Sequence, residues 1–384
     1  MTNPKISIII RNMIPRLLEK QIAEKLKTKK ILLVLGARQV GKTTLLNSIK
    51  NKFYSQKKVL YLNCDIEEDK KTINTTSLIE LNKLNKSIDL LMIDEAQRLD
   101  NPGLTLKIIH DNSPTKIIAT GSSSFELKNK LSDSLAGRYL DFILYPFSFK
   151  EVQSEISNIE KAIIFGLYPE VFLIKKNADK ILFLNKIIES YLFKDILSFQ
   201  RVRNSQALKD LLTAVAYQIG SEVNENELAN RLKIDRKTII SYLDILEKSY
   251  IIKRLYPYSN NPRREIGRRY KIYFIDLGIR NALIGDFNDF ALRKDSGVIW
   301  ENFVIIEKIK SLENRGELKD IFFWRSYNGG EIDLIEKSKT TAVLNAFEIK
   351  YQNTKISRGA KEFLKEYPMP MKVVNINNYH KFIA

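Results

Sequence analysis

Residues 31 to 50 read ILLVLGARQVGKTTLLNSIK. An apolar run leads into Gly36-x-x-x-x-Gly41-Lys42-Thr43, and a helical pattern follows. Strand, glycine loop and helix in that order make a P-loop, and a P-loop demands a parallel sheet behind it. The chemistry sets the residue types. Glycines let backbone N–H groups close around phosphate oxygens, and the helix N-terminus adds its dipole. Gly36, Ala37, Arg38, Gln39, Val40, Gly41, Lys42, Thr43 and Thr44 are therefore the expected ATP-binding set. Lys42 reaches the β- and γ-phosphates, and the Thr43 hydroxyl joins the shell of a Mg²⁺ ion.

The following segments fit that requirement. VLYLN (59–63) is an apolar strand, and DLLMIDEAQ (89–97) is another that ends in Asp94 and Glu95. An aspartate at a strand end can orient the Mg²⁺ water shell, and the glutamate beside it can deprotonate the attacking water. That pair is the signature of the additional-strand, catalytic-glutamate class of P-loop ATPases, and it argues against a small-molecule kinase. TKIIATGSSSFEL (115–127) gives a strand ending in hydroxyl residues, with Ser122 as the expected γ-phosphate sensor and Thr120 as the alternative. Arg138 stands just before the strand YLDFILY (139–145), where AAA-type ATPases keep an arginine that reaches a neighbour's nucleotide. Such a finger requires a homo-oligomer. Residues 1–145 thus read as the ATPase core and 146–205 as a helical lid.

Composition narrows the partners. The chain has 384 residues and a formal net charge of +18, which points to a polyanion, nucleic acid foremost. One cysteine and two histidines exclude an internal disulfide and a Cys/His zinc site. No stretch approaches about 18 consecutive apolar residues, so the expectation is a cytoplasmic protein with no membrane partner.

Residues 206–261 carry three amphipathic segments and a strand, SYIIKRLYPY. The second segment opens after Asn224 and the third at Asp235, a natural N-cap. The pattern resembles a winged helix, a fold that also serves protein contacts. In DNA-binding versions the third helix enters the major groove, here with Arg236, Lys237 and Thr238 leading. Beside it, residues 254–271 hold six Lys or Arg and one Glu. Arg263, Arg264, Arg268 and Arg269 are the expected phosphate contacts, which give affinity without sequence preference.

The last segment, 262–384, orders itself as helix, three strands, helix, strand. Glu301 lies on the first helix, Asp333 in GGEIDLI and Glu348 with Lys350 in NAFEIKY. Glu348 and Lys350 are two apart and share one strand face. This order resembles the PD-(D/E)xK nuclease superfamily, an α/β restriction-endonuclease-like fold. The resemblance implies that Asp333 and Glu348 hold Mg²⁺ with the Ile349 carbonyl, that Glu301 is an outer ligand, and that Lys350 positions the water. An inherited fold that grips without cutting is the alternative.

GARQVGKTT, LLMIDEAQ, YPFSF, GLYPEVF, YFIDLGIRNAL and the WEN…GGEIDLI…FEIK series together resemble a family of predicted bacterial and archaeal AAA-like ATPases with a nuclease-like C-terminal domain. The likeness runs from about residue 14 to 360. It implies an α/β chain of P-loop ATPase, lid, winged helix and nuclease-like domain, using ATP and Mg²⁺ on DNA or RNA. The competing reading is a switch ATPase that controls a protein partner, and a third is a transcription regulator that binds a specific operator.

Overall fold

A computed structural model of the chain describes residues 14–122, 134–192, 204–259, 270–326, 328–341 and 343–383. The chain divides into two compact units near Ser157, with Gly36–Val40 and Ser122 grouping with the second.

The first unit is built on a five-stranded sheet of order β2-β3-β4-β1-β5. Its strands are β1 (Ile31–Leu35), β2 (Val59–Asn63), β3 (Leu90–Asp94), β4 (Lys116–Gly121) and β5 (Tyr139–Ile143). Every pairing is parallel. Strands covered on both faces read as unbroken apolar runs, and β1 and β3 are buried at every position. The register sets Leu35 beside Gly121 and Ile93 beside Ala119, so β1, β3 and β4 end side by side. Helix α1 (Leu18–Lys25) packs on α2 (Lys42–Phe53), which leaves β1 through Gly41. Helix α3 (Pro102–Asn112) starts on an Asn101 cap with proline at its first position. The YPFSF stretch serves structure here. Ser148 and Glu151 form a reciprocal capping box, and Glu151 also binds the Arg16 guanidinium at 3.1 Å.

The second unit contains three helices and a hairpin-like strand pair. The segment opens after α4 (Ile159–Phe165) with α5 (Ser205–Tyr217), α6 (Glu225–Leu232) and α7 (Arg236–Lys248). Asn224 caps α6 and Asp235 caps α7 by accepting first-turn N–H groups. Strands β6 (Ile252–Leu255) and β7 (Lys271–Phe274) pair antiparallel, so the expected boundary at 261/262 falls between two bonded strands. Asp276 then caps α8 (Leu277–Ile284), and α9 (Ser296–Arg315) follows.

A four-stranded sheet of order β11-β10-β9-β8 completes this unit. It comprises β8 (Lys319–Arg325), β9 (Glu331–Ser338), β10 (Leu344–Ile349) and β11 (Met371–Val374). The first three run antiparallel in succession, and β11 runs parallel to β10. Helix α10 (Arg358–Glu366) packs on β9, and α9 touches β10. Trp324, Ile332, Ile335, Ala346, Ala360 and Phe363 form the core beneath α10.

GLYPEVF and YFIDLGIRNAL meet inside the second unit. Leu167 N–H donates to Asp276 Oδ2 at 2.7 Å, and Asn281 Nδ2 donates to the Ile163 and Ile164 carbonyls at 3.1 and 2.8 Å. A Cβ on Gly278 would lie 2.1 Å from the Phe165 carbonyl oxygen. Backbone cannot yield there without moving a helix. We expect Gly278→Ala to cost about 1–3 kcal/mol, as overpacking does. Gly297→Ala, in the first turn of α9 with open space around it, should be neutral or slightly stabilising. Thermal melts of the two variants check this. Equal melting temperatures would refute the close approach.

Candidate functional site

The first cluster forms where β1, β3 and β4 end. Gly41 adopts φ 94°, a left-handed conformation that suits glycine, and it starts α2 with no side chain over the helix N-terminus. A glycine start with no side-chain cap suits a helix N-terminus that binds phosphate. Lys42, 5% exposed, places its Nζ 3.7 Å from Glu95 Oε1. The Thr43 hydroxyl donates to Asp94 Oδ2 at 2.6 Å.

Asp94 is 2% exposed and holds three hydroxyls. Besides Thr43, Tyr61 donates to it at 2.8 Å, and Thr120 donates to its other oxygen. Burial and the Asp94 charge push the Tyr61 hydroxyl far above its usual pKa, so it stays a donor. Glu95 takes a left-handed φ of 53°, unusual for a residue with a side chain. Its N–H donates to Thr120 Oγ1 at 3.0 Å, and Gln97 Nε2 donates to its carboxylate. Strain and two hydrogen bonds together aim that carboxylate at Lys42. These residues match the chemistry of ATP with Mg²⁺: the glycine-led helix N-terminus and Lys42 for phosphate, and Thr43 with Asp94 for the cation.

Thr120 thus joins this cluster. Ser122 is half-buried just beyond the end of β4. Arg138 sits at the opposite end of the strands, where its carbonyl accepts from Ile31 N–H. Its guanidinium clasps Asp111 through two hydrogen bonds of 2.9 and 3.1 Å. Those bonds, with one from His110, hold the Asp111 carboxyl well below the usual carboxylate range. Arg138 therefore lies away from Lys42 of its own chain.

The leading residues of α7 are engaged to different degrees. Arg236 is exposed yet pairs with Glu225 at 2.7 Å, and the Thr238 hydroxyl donates to Asp235 at 2.6 Å. Lys237 is exposed. Arg263, Arg264, Arg268 and Arg269 lie outside the described residues. The two ends of the basic stretch turn inward: Arg254 pairs with Glu247 and Asp244, and Lys271 is 1% exposed.

The second cluster lies on the C-terminal sheet. Glu301, Glu331 and Asp333 bring carboxylate oxygens within 4.8 Å of one another. Lys271 Nζ sits between Glu301, at 3.2 Å, and Glu331. The Tyr273 hydroxyl donates to Glu301 at 2.6 Å, and Ile349 N–H donates to Asp333 Oδ2 at 2.6 Å. Burial, then the Glu301 charge, holds the Asp333 carboxyl well above the usual carboxylate range. Burial opposes the Lys271 charge, but Glu301 and Glu331 outweigh it and raise its pKa. Glu348, nearly buried, accepts from Ser357 N–H at 2.9 Å and pairs with Lys350 at 3.3 Å. Glu301 and Asp333 thus come together with Glu331, Glu348 pairs with Lys350, and the Lys350 charge acts on Asp333 and Glu301 as well, with Asp333 bonded to the Ile349 N–H between Glu348 and Lys350. The three-carboxylate group does not fit a free divalent site, because an ammonium already bonds two of its members. Gly330 and Gly359 let α10 cross the start of β9, since a Cβ on Gly359 would lie 2.6 Å from Gly330 Cα.

Sequence reasoning missed Tyr61, Gln97, Glu331, Tyr273 and the inward role of Lys271. Period-two alternation in KIYF, which puts Lys271 and Tyr273 on one strand face, carried a signal for the last two.

The parallel sheet, the P-loop and the Asp94–Glu95 pair define a P-loop ATPase domain of the AAA type. Residues 28–153 match a family model described as an AAA domain. Residues 156–289 and 296–381 match two domains of unknown function, DUF8612 and DUF4143. The protein MJ1544 of Methanocaldococcus jannaschii is 30% identical over 351 residues, 83% of this chain and 75% of that one. The chain belongs to the same family as MJ1544. Rv2008c of Mycobacterium tuberculosis is 26% identical over 357 residues, 92% of this chain and 77% of that one. A Haemophilus influenzae protein is 26% identical over 356 residues, 86% of each chain. Among solved structures, AMPPCP-bound DnaA from Aquifex aeolicus matches at 17% identity and TM-score 0.32, over 62% of this chain and 90% of that one. CDC6P from Pyrobaculum aerophilum matches at 12% identity and TM-score 0.29, over 71% and 96%. Among the described residues no helix is long and apolar enough to cross a membrane.

Proposed function

We propose that the protein hydrolyses ATP with Mg²⁺ and that its nucleotide state drives a nucleic-acid-binding module in the second unit. The observation that carries this reading is the Thr43–Asp94–Glu95–Lys42 arrangement, in which phosphate, cation and base positions adjoin. Lys42 and the α2 N-terminus hold the phosphates, and Thr43 and Asp94 hold the ion. Bound Mg²⁺ neutralises charge on the phosphates. Glu95 accepts the proton of the attacking water. The bond from Glu95 N–H to Thr120 supports Thr120 as the γ-phosphate sensor, with Ser122 second. The Lys42–Glu95 pair supports one further step: phosphate that takes Lys42 releases Glu95 to act as a base. Arg138, away from its own Lys42, suits a finger offered to a neighbour in a homo-oligomer.

The three helices and β6–β7 support a winged-helix reading of the middle region, with Lys237 among its exposed cations at the start of α7. The sheet order β11-β10-β9-β8 with α9 and α10 supports a nuclease-like ancestry for the rest. The charge of +18 favours nucleic acid over an acidic protein partner. We read the C-terminal region as a grip rather than a cutter.

Lys42→Ala should abolish ATP turnover, and Glu95→Gln should lower it by at least about 10²-fold while ATP stays bound. Normal turnover in a folded Glu95→Gln protein would remove Glu95 as the base. Thr120→Val removes two hydrogen bonds, one accepted from Glu95 N–H and one donated to Asp94, and at about 1–3 kcal/mol turnover should fall roughly 5- to 150-fold. Ser122→Ala would fall instead if Ser122 is the sensor. Duplex DNA should raise ATP turnover of the wild-type protein, and Lys237→Glu should weaken that response. Turnover indifferent to DNA and RNA would favour a switch acting on a protein partner.

A further inference from the structure

We infer that Lys271 is the resident cation of the C-terminal acidic cluster, so that Glu301, Glu331 and Asp333 form a metal-independent ionic joint. The inference rests on the local geometry of this cluster and not on the ATPase reading. Lys271 is the first residue of β7, and its side chain is 1% exposed. Its Nζ bonds Glu301 from α9 and Glu331 from β9, so three elements converge on one ammonium. Tyr273, two residues on and on the same strand face, donates its hydroxyl to the same Glu301 oxygen that Lys271 bonds. The Phe323 ring lies 5.5 Å from Nζ and adds a cation–π contact.

The other acids of the cluster are also satisfied from within. Arg325 approaches the second oxygen of Glu331 at 3.7 Å. Asp333 Oδ2 receives the Ile349 N–H, and the Lys350 charge acts on Asp333 as well. A divalent ion entering here would have to evict the ammonium. Lys271 would then be left charged and unpaired in the interior, which is among the costliest outcomes for a buried ion pair. Magnesium also needs near-octahedral oxygen ligands and surrenders its water reluctantly. A buried ammonium on two of three carboxylates leaves no such shell.

The joint has a mechanical consequence. β7 is hydrogen-bonded to β6, which follows α7. Lys271 therefore adds an ionic tie between the helix-and-hairpin segment and α9 and β9, beside the Phe274–Asn302 hydrogen bonds and the packing of Tyr258 in the core of the four-stranded sheet.

The test uses full-length, nucleotide-free protein and Mn²⁺ alone as the probe, read by electron paramagnetic resonance. Wild type and Asp333→Asn should bind equal amounts of Mn²⁺, with Glu331→Gln replacing Asp333→Asn should the latter not fold. One additional equivalent in wild type over the variant would overturn the inference. In parallel, Lys271→Met should lower the melting temperature by stranding the Glu301 and Glu331 carboxylates. Adding Glu331→Gln to Lys271→Met should recover most of that loss. A double variant that melts no higher than Lys271→Met, or is no more soluble than it, would overturn the neutralising role of Lys271.

Discussion

The Asp94 carboxylate is the constraint around which the nucleotide-binding edge is arranged. It ends β3 and receives hydroxyls from α2, β2 and β4. One buried anion therefore fixes the relative position of four elements. A buried carboxylate is costly unless hydrogen-bonded, and three donors meet that requirement. Among the described residues those donors are hydroxyls, which are neutral. The negative charge is solvated but not cancelled, so the edge keeps an attraction for a cation. The same Thr120 hydroxyl that satisfies Asp94 accepts from Glu95 N–H, and it thereby holds the next residue in its unusual backbone conformation. Mg²⁺ affinity and base placement thus share one hydroxyl.

The second unit solves its packing differently. Asp276 is buried and caps α8, but it also accepts from Leu167, more than a hundred residues earlier. Gly166, at φ 74°, lets the chain pass, because a Cβ there would lie 2.0 Å from Asp276 Oδ1. Arg280 and Arg293 both reach Asp295. The stretches GLYPEVF and YFIDLGIRNAL are therefore the two halves of one structural contact. Their distinctive composition comes from backbone crowding and cap geometry, with no need for a ligand.

Much of this was legible in the sequence because it is local. The P-loop, the apolar strands and the caps at Asn224, Asp235 and Asp276 depend on residues within a few positions of one another. The left-handed Gly41 follows from the P-loop motif itself. Glu95 could be singled out as a base, but its aim could not, since that depends on its φ angle, on Gln97 and on a hydroxyl 25 residues away. The C-terminal site was the least legible part. Asp333, Glu301, Glu348 and Lys350 stood out by type, yet the partner that decides the cluster's charge is Lys271, which lies 60 residues before Glu331. In a basic stretch a lysine reads as solvated. Only its pairing with acids from α9 and β9 turns it inward.

The two acidic clusters show how the choice of donor decides what an acid can do. Asp94 is held by hydroxyls, which satisfy its lone pairs and leave its charge in place. Glu301 and Glu331 are held by one ammonium, which fills a lone pair on each and offsets part of their charge. In the first case a divalent cation completes the site. In the second it would have to compete with a lysine already paid for in desolvation and locked against Phe323. Identical carboxylate chemistry thus gives a ligand site in one unit and a structural joint in the other. The distinction lies in one residue type on the facing strand: threonine on β4, lysine on β7.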